Sequence, residues 1–232
     1  MNFEPIQKEK MYQNVIQQVK QMIFDGQLKK GDKLPAERNL AAQLGVSRST
    51  IREAFSALEL LGILESRHGE GSFVSVEPLR HSSVEPLSLL FMLEEDAQLQ
   101  LIDVRRMLEA ECAFLAAHSA GEEDIGLLRQ CIQDFEQNTI DQTFSSTVDR
   151  TFHFTIAKAS GNVLLYYLYS AISEALKHHI RTMRLRIVND PDNIEQLLVQ
   201  HKKIYQYICE QDAQKARQAM LEHMEFVKSY VK

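Results

Sequence analysis

The sequence predicts a mainly α-helical protein in two parts, an N-terminal helical unit with a small β-hairpin and a C-terminal antiparallel bundle of helices. Residues 34–74 pass from a 3.6-residue apolar period to two short apolar stretches around glycines. Nearly all of the chain after residue 87 keeps the helical period. The polar, proline-containing stretch between them is typical of a linker. We therefore expect domains at 1–76 and 87–232 and a linker at 77–86.

The first unit should begin with an amphipathic helix at about residues 8–25, followed by a turn. In the next short helix, Leu40 and Leu44 lie on one apolar face. Gly45 then supplies the left-handed residue that commonly ends a helix. Ser47 is a good N-cap for the helix after it.

The helix that starts after Ser47 has an apolar stripe at the i, i+3, i+4, i+7 spacing of a buried face. Its members are Ile51, Ala54, Phe55 and Leu58. Two short apolar strands follow, around a glycine-bearing turn that holds Arg67 and His68. Two helices, a tight turn and a hairpin form the outline of a winged helix-turn-helix, a fold that reads DNA.

The second helix of this motif carries the residues that would contact DNA. Arg48 and Arg52 lie one turn apart near its N-terminal end, which a recognition helix presents to base edges. An arginine fork binds guanine O6 and N7 and contributes about 1–3 kcal/mol of discrimination. Ser49 and Thr50 have short hydroxyl side chains that suit phosphate or base contacts. The alternative is an ordinary helical hairpin with surface arginines.

The motifs LPAERNLA, GVSRSTIREA, LELLGILE and HGEGSFV resemble, in order and spacing, the DNA-binding signature of the GntR family of bacterial transcription regulators. The resemblance spans roughly residues 10–75. It implies that Arg38, Arg48 and Arg52 contact DNA, with His68 and Gly69 in the wing.

Composition narrows the location and class of the protein. The 232 residues fit two domains, and no stretch approaches the roughly 20 apolar residues of a membrane span. The polar N-terminus shows no signal peptide. Three cysteines without CxxC spacing favour free thiols in a reducing cytoplasm over a redox or cysteine-metal role.

Charge is distributed unevenly between the two parts. Residues 1–78 hold ten basic and ten acidic side chains, whereas the remainder holds 16 basic and 22 acidic ones. A neutral domain weakens the case for tight nonspecific DNA binding, which depends on phosphate neutralisation. A homodimer with two recognition helices would compensate.

From residue 87 onward we expect long helices with short connections, which together form an antiparallel bundle. Asp212 is a plausible N-cap for the last of them. The expected helices span about 87–95, 98–119, 122–139, 143–159, 162–187, 192–210 and 212–230.

Four polar residues in this bundle fall on apolar stripes: Asp149, His153, His201 and His223. A carboxylate turned into a core is costly unless it is paired or coordinated. Three histidines on separate inward faces could converge and, with the aspartate, form a ligand set for Zn²⁺, Ni²⁺ or Mn²⁺ that leaves a position open. The alternative is that each is a hydrogen-bonded core histidine.

The segment from Asp149 through His153 to ASGN at 159–162 resembles the FCD effector domain of the FadR subfamily of GntR regulators. His201 and His223 stand where that domain has its remaining metal ligands, so the resemblance implies the four-residue metal site. Gln200 replaces a common glutamate and Val163 a common proline, and neither change removes a ligand.

Arg105 lies on the stripe of Leu101, Leu108 and Cys112 and should also point inward. It could be the partner of a core acid such as Asp149 or Glu109, or a bidentate clamp on a carboxylate. The family resemblance supports the clamp. Asn162, with Arg181 or Arg184, could add polar contacts. The family's effectors are small organic acids such as lactate, pyruvate, citrate or sugar acids.

The sequence therefore predicts a cytoplasmic, homodimeric transcription regulator, a repressor rather than an activator, and not an enzyme. It would bind a pseudo-palindromic double-stranded operator and sense a small carboxylate at a divalent transition metal, zinc first, with nickel or manganese as alternatives. Two other functions stay open at this point. One is an acyl-chain-responsive regulator without metal. The other is a metal-dependent hydrolase, against which stands the lack of a separate general base.

Overall fold

The computed structural model describes residues 11–76, 97–137, 142–175 and 185–230. The chain divides into two compact units, Met1–Ser83 and Val84–Lys232. The linker predicted at 77–86, the helix predicted at 87–95 and the side chains of Arg181 and Arg184 lie outside the described residues.

The first unit has three helices followed by a hairpin: α1 (Met11–Phe24), α2 (Glu37–Leu44), α3 (Arg48–Leu60), β1 (Leu64–Arg67) and β2 (Gly71–Val74). Local sequence signals set the turn between α2 and α3. Gly45 ends α2 with a left-handed φ of 64°. Ser47 caps α3, because its side-chain oxygen accepts from the Thr50 N–H at 3.1 Å. Both were expected from residue type alone.

The predicted stripe of α3 is the core of this unit. Ile51, Ala54 and Leu58 are fully buried, and Phe55 is 3% exposed. The stripe belongs to one apolar cluster with Val15 and Val19 of α1, among others. Burial of the larger of these side chains, such as Ile51, Phe55 and Leu58, contributes about 1.5–3 kcal/mol each. The apolar spacing in the sequence therefore fixes which face of α3 is left for solvent.

The two strands pair antiparallel, with Leu64 opposite Val74. A third segment that the sequence did not reveal joins them. Lys33 forms an isolated bridge to Phe73, and the Leu34 N–H donates to the Ser72 carbonyl at 2.8 Å. The wing is thus attached to the chain just before α2 as well as to α3.

The described helices of the second unit are α4 (Ala97–Ser119), α5 (Glu122–Gln137), α6 (Gln142–Ala159), α7 (Val163–Ala175), α8 (Pro191–Cys209) and α9 (Ala213–Lys228). Asp212 caps α9 as expected, accepting from the Lys215 N–H at 3.1 Å. Residues 185–188 are also helical. The middle of the helix predicted at 162–187 lies in the part of the chain that is left undescribed.

Helices α4 and α9 lie antiparallel along one another, and ion pairs link them along their length. The ion pairs are Asp103–Lys228 (2.6 Å), Arg106–Glu225 (3.3 Å) and Glu111–Arg217 (2.5 Å). Residue numbers rise along α4 as they fall along α9, as expected for antiparallel helices. These side chains are half-buried to exposed, so each pair contributes less than about 1 kcal/mol. Their main effect is to fix the register of α4 and α9, which also carry inward-facing polar residues.

The cysteines divide into two kinds. Cys112 and Cys131 are buried, and burial raises the pKa of their thiols to about 12 and about 11. Cys209, at the end of α8, is exposed. Among the described helices, none is both long and apolar enough to cross a bilayer. The predicted fold class, a winged helix-turn-helix with a helical C-terminal part, is confirmed.

Candidate DNA-binding surface and metal centre

The solvent-facing side of α3 presents the residues predicted to read DNA. Arg48, Ser49 and Arg52 are exposed, and the Arg52 side chain is 66% exposed. Its Nε lies 3.8 Å from Oε2 of Glu37 on α2, a long and solvated ion pair that is weak. The guanidinium is therefore available to a base edge at little cost.

Ser49 and Thr50 lie at the N-terminal end of α3 and group around the capping serine. Their hydroxyl oxygens are 2.7 and 2.8 Å from Ser47 Oγ. The N-terminus of a helix carries partial positive charge and unsatisfied N–H groups, which favour phosphate. The hydroxyls therefore lie where phosphate contacts are expected, and base contacts by the arginines stay a prediction.

The remaining predicted DNA contacts are also exposed. Arg38 lies on α2, and His68 and Gly69 form the tip of the wing. Gly69 has a φ of 76°, which a side chain would strain. The neighbouring Arg67 is held in place, because it donates to Glu65 and stacks 4.2 Å above the Phe73 ring.

In the second unit three histidines from three helices meet in the interior. His153 of α6, His201 of α8 and His223 of α9 are each 2% exposed or less. One potential ligand atom from each lies within 4.8 Å of the others. The inward faces predicted from the apolar stripes therefore do converge.

The Nδ1 atom of each histidine ring contacts an oxygen of a residue outside the three-histidine cluster. Nε2 is therefore the nitrogen that can face the centre of the cluster. The pairs are His201 with the Leu197 carbonyl (2.8 Å), His223 with Gln200 Oε1 (3.0 Å) and His153 with Glu109 Oε2 (2.6 Å). Outer partners of this kind fix the tautomer and orientation of metal-binding histidines. Gln200, the departure from the family pattern, thus contacts His223, one of the predicted metal ligands.

Asp149, the fourth predicted ligand, is 8% exposed and one turn before His153. Its Oδ1 lies 3.3 Å from His201 Nε2, the nitrogen directed to the centre. The aspartate thus borders the histidine cluster. Three imidazoles and a carboxylate form a donor set that fits a divalent transition metal.

Arg105 and Glu109 continue the polar centre into α4. Arg105 Nε donates to Glu109 Oε1 at 2.7 Å, and both side chains are 4% exposed or less. The other oxygen of Glu109 lies at His153, so one carboxylate touches the predicted clamp and a predicted metal ligand. Of the two core acids that the sequence left open as partners of Arg105, Glu109 forms the direct contact.

Electrostatics fix the charge states of these groups. Burial alone would raise the pKa of Glu109, but the Arg105 guanidinium and His153 hold it below its usual value. Burial alone would lower the pKa of Arg105, and the Glu109 carboxylate raises it instead. Burial, with His201 and His153 nearby, holds the pKa of His223 well below its ordinary value. His223 is therefore neutral, as a metal ligand must be.

Helix α7 adds two hydroxyl groups that the sequence reading missed. Tyr169 and Ser173 lie one turn apart and are each 2% exposed. Burial raises the pKa of Tyr169 above its usual range, and the Glu109 carboxylate adds to the effect. The buried phenol is therefore within electrostatic range of Glu109 and Arg105.

Asn162, which the sequence predicts as an effector contact, lies at a helix end in the structure. It is exposed at the start of α7, and its side-chain oxygen accepts from the Leu164 and Leu165 N–H groups at 3.1 and 3.2 Å. It therefore caps this helix. No described contact brings Asn162 to the histidines, and its role toward an effector stays a prediction.

A groove of about 680 Å³ lies between α8 and α9. Gln200 and Glu222 are in its wall. Gln200 therefore contacts both the groove and His223 of the histidine centre.

The sequence contains a signal that Glu109 is buried beside Arg105. A glutamate four residues after an inward arginine lies on the same helical face and should be buried with it. The role of Gln200 had no such signal, because its contact with His223 joins two helices across 23 residues.

The first unit is a winged helix-turn-helix with exposed arginines on α3, and the second is a helical bundle with a buried polar centre. Together they define a DNA-binding transcription regulator. Residues 11–74 match the family of bacterial regulatory proteins described as gntR, and residues 100–226 match the FCD domain. The chain belongs to the gntR family of regulators with an FCD domain. This is a family of transcription regulators and not of enzymes.

Two curated relatives are similar over most of their length. The HTH-type transcriptional regulator LutR of Bacillus subtilis is 33% identical over 204 residues, covering 88% of this chain and 93% of that protein. The putative L-lactate dehydrogenase operon regulatory protein of Escherichia coli is 34% identical over 224 residues, covering 94% and 85%. Among solved structures, a GntR protein of Streptococcus agalactiae has a TM-score of 0.71 and 29% identity, covering 95% of this chain and all of that one.

Proposed function

We propose that the protein is a homodimeric repressor of the FadR subfamily that leaves its operator when a small carboxylate binds at a metal site in the bundle. The observation that carries this proposal is the convergence of His153, His201 and His223, each with Nδ1 at an outer oxygen. Three buried imidazoles arranged in this way are a poor apolar core and a good ligand set.

Asp149 and the three histidines would hold the metal. Zinc is the first candidate, because imidazole and carboxylate donors suit it, and nickel or manganese are alternatives. When bound, a divalent ion supplies positive charge and an open coordination position to a carboxylate oxygen.

The chain's own residues would bind the rest of the effector. The Nε of Arg105 is used by Glu109, which leaves its two terminal nitrogens for a carboxylate. The buried hydroxyls of Tyr169 and Ser173 are further candidates for effector contacts. One relative is named for an L-lactate dehydrogenase operon, so two- to four-carbon 2-hydroxy acids are the first effectors to test.

Regulation requires that the effector bind the two DNA-binding states with different affinity. In a homodimer, two copies of α3 would occupy successive major grooves of a pseudo-palindrome. Binding in the bundle would favour the arrangement in which the two helices no longer match the half-sites. The effector therefore lowers the operator affinity of the dimer.

The first test is the metal content of protein purified without a histidine tag. We expect one divalent ion per chain, and close to none in His201→Ala or His223→Ala. His118→Ala is the matched control, because His118 is an exposed histidine of the same unit and should leave the content unchanged. Full metal content in both site variants would return these residues to the role of core histidines.

The second test measures operator binding of the metal-loaded protein by fluorescence anisotropy while glycolate, lactate or pyruvate is added. We expect at least one acid to release the DNA from the wild type and not from His153→Ala. Release by a long-chain acyl compound from metal-free protein would instead support the acyl-responsive alternative.

A further inference from the structure

The outer face of α7 is apolar and exposed. Val163, Leu164 and Leu168 are 54%, 68% and 54% exposed. Each of the other helices described in this unit exposes at most one large hydrophobic side chain in this way. The exposed side chains of α7 therefore form a concentrated patch, unlike the scattered apolar residues of an ordinary protein surface.

Helix α7 is uncharged on both of its faces. Residues 163–173 include no acidic, basic or histidine side chain. The bundle already uses the inner face, since Tyr169 and Ile172 are 2% and 8% exposed. A helix that is apolar all round is normally buried on all sides. The residue types of the outer face are thus those of a covered surface.

The outer face forms one continuous stripe along the helix. Side chains at i, i+1, i+4, i+5 and i+8 point to the same side of a helix. In α7 these are Val163, Leu164, Tyr167, Leu168 and Ala171. The distance between two packed helices depends on the side chains at their contact, so the small Ala171 allows a close approach. The stripe therefore has the shape of a helix-packing surface.

Charge favours a second copy of the chain as the occupant of this stripe. Residues 79–232 hold 16 basic and 22 acidic side chains, so most contacts between two such units bring like charges together. The stripe avoids this repulsion because it carries no charge. An anionic membrane is a poorer match, since residues 163–173 offer it no lysine or arginine. A basic protein would gain more from the acidic surface elsewhere.

We propose that the outer face of α7 packs against the same face of a second copy and forms the apolar centre of a two-fold dimer interface. Such an interface has the same patch on both sides, so an uncharged stripe is complementary to itself. A standard interface covers about 800 Å² per partner, more than the exposed side of one short helix supplies. Polar surface around α7 therefore forms the rim. The inference rests on the homodimer of the proposed function and names the surface that joins it.

Sedimentation equilibrium of the full-length protein without DNA measures the dimer. The test variant combines Leu164→Glu with Leu168→Glu and so places two carboxylates of each copy in the interface. We expect its dimer dissociation constant to rise by about 100-fold or more, because these charges would be buried without partners. Both side chains are exposed in the single chain, so the helical circular dichroism spectrum should not change.

Leu127→Glu is the matched control. Leu127 is a leucine of α5 in the same unit, and it is 42% exposed. The substitution adds the same charge to an exposed helical position outside the stripe. Its dimer dissociation constant should therefore equal that of the wild type.

Chemical cross-linking tests the same contact without adding a charge. In a Cys209→Ser background, Leu164→Cys or Leu168→Cys provides one reactive thiol on the stripe, because the other two cysteines are buried. A short bis-maleimide should join two copies through this thiol. Leu127→Cys in the same background should give no cross-linked dimer at the same protein concentration.

The interface and the proposed function can fail separately. If the double glutamate variant is as dimeric as the wild type and neither stripe cysteine cross-links, the interface is wrong and the metal-and-carboxylate function still stands. Cross-linking through Leu127→Cys alone would likewise overturn the interface, in favour of one that includes α5. A wild type that sediments as a monomer at the concentrations of operator binding would refute both the interface and the homodimer, and would leave the stripe to another occupant.

Discussion

Arg105 and Arg106 are adjacent on α4 and have different surroundings, because successive residues on a helix point about 100° apart. Arg105 is 4% exposed and bound to Glu109, whereas the Arg106 side chain is 35% exposed and reaches Glu225 on α9. Residue type alone does not distinguish the two arginines. Their positions on the helix make Arg105 a candidate ligand clamp and Arg106 the partner in a surface ion pair.

At this scale we expect Arg105→Ala to weaken lactate binding by about 10- to 100-fold, because a charge-assisted contact is lost. Metal content should stay near that of the wild type, since Arg105 is not a ligand. Arg106→Ala is the control and should change lactate affinity little. Titration calorimetry with metal analysis measures both. An equal loss of metal and acid in Arg105→Ala would assign this arginine a structural role.

A second residue-level prediction concerns pH. The pKa of His223 in the folded protein lies well below 6.5, since burial disfavours the charged form. The unfolded chain therefore binds more protons between the two pKa values. Stability of chelator-treated protein should fall as pH drops below about 6.5, by up to about 1.4 kcal/mol per pH unit from this group.

Urea unfolding at several pH values measures this slope. His223→Asn should reduce the acid-side loss of stability, because the titrating group is gone. His118→Asn, at an exposed position, should keep the slope of the wild type. Identical slopes in all three proteins would mean that His223 has the same pKa in the folded, metal-free protein as in the unfolded chain.

At the scale of the element, α3 separates its tasks by face. Its buried stripe holds the unit together, its N-terminal hydroxyls surround the cap, and its arginines face solvent. Substitutions on the solvent face should change DNA binding without changing the fold.

Arg52→Ala should reduce operator affinity by about 10-fold or more, in line with the loss of a bidentate base contact. The helical circular dichroism spectrum should be unchanged, because the side chain is 66% exposed. Lys20→Ala removes the same charge from an exposed position on α1 and serves as the control. Normal operator binding by Arg52→Ala, measured by anisotropy, would contradict the assignment of α3 as the recognition helix.

At the scale of the whole molecule, the proposed dimer sets a spacing on the DNA. Two recognition helices related by a two-fold axis should read half-sites about one helical turn apart, roughly 10 base pairs. An insertion of about five base pairs at the centre of a footprinted operator turns one half-site to the opposite side of the duplex.

That insertion should abolish tight binding, and an insertion of about ten base pairs should restore part of it. Gel-shift titration of the three operators measures this, with the protein's oligomeric state taken from light scattering at the same concentration. Equal affinity for all three DNAs would show that each chain binds its half-site independently.

Local signals in the sequence predicted most of the fold. Gly45, Ser47 and Asp212 act through their own residue type, so the helix ends they set could be read directly. The histidines were found because polar residues on apolar stripes are conspicuous. The bridge from Lys33 to Phe73 was not found, since it depends on two segments far apart in the chain.

The site contacts that the sequence did not predict join residues on different helices. The pair Arg105–Glu109 is local, one turn on one helix, and was among the alternatives. The contact of Glu109 with His153 joins α4 to α6 and arises only from packing. Asn162 was expected at the effector, but an asparagine before a helix also suits an N-cap, which is the role the structure gives it.

The uneven exposure of the three thiols has a practical consequence. Cys112 and Cys131 are buried with pKa values near 12 and 11, so they would react slowly with a maleimide. Cys209 is exposed at the end of α8, the helix that also carries His201. The unaltered chain can therefore take a single fluorophore eight residues beyond a candidate metal ligand. Its emission would report in real time whether the end of that helix moves when metal, acid and operator are added.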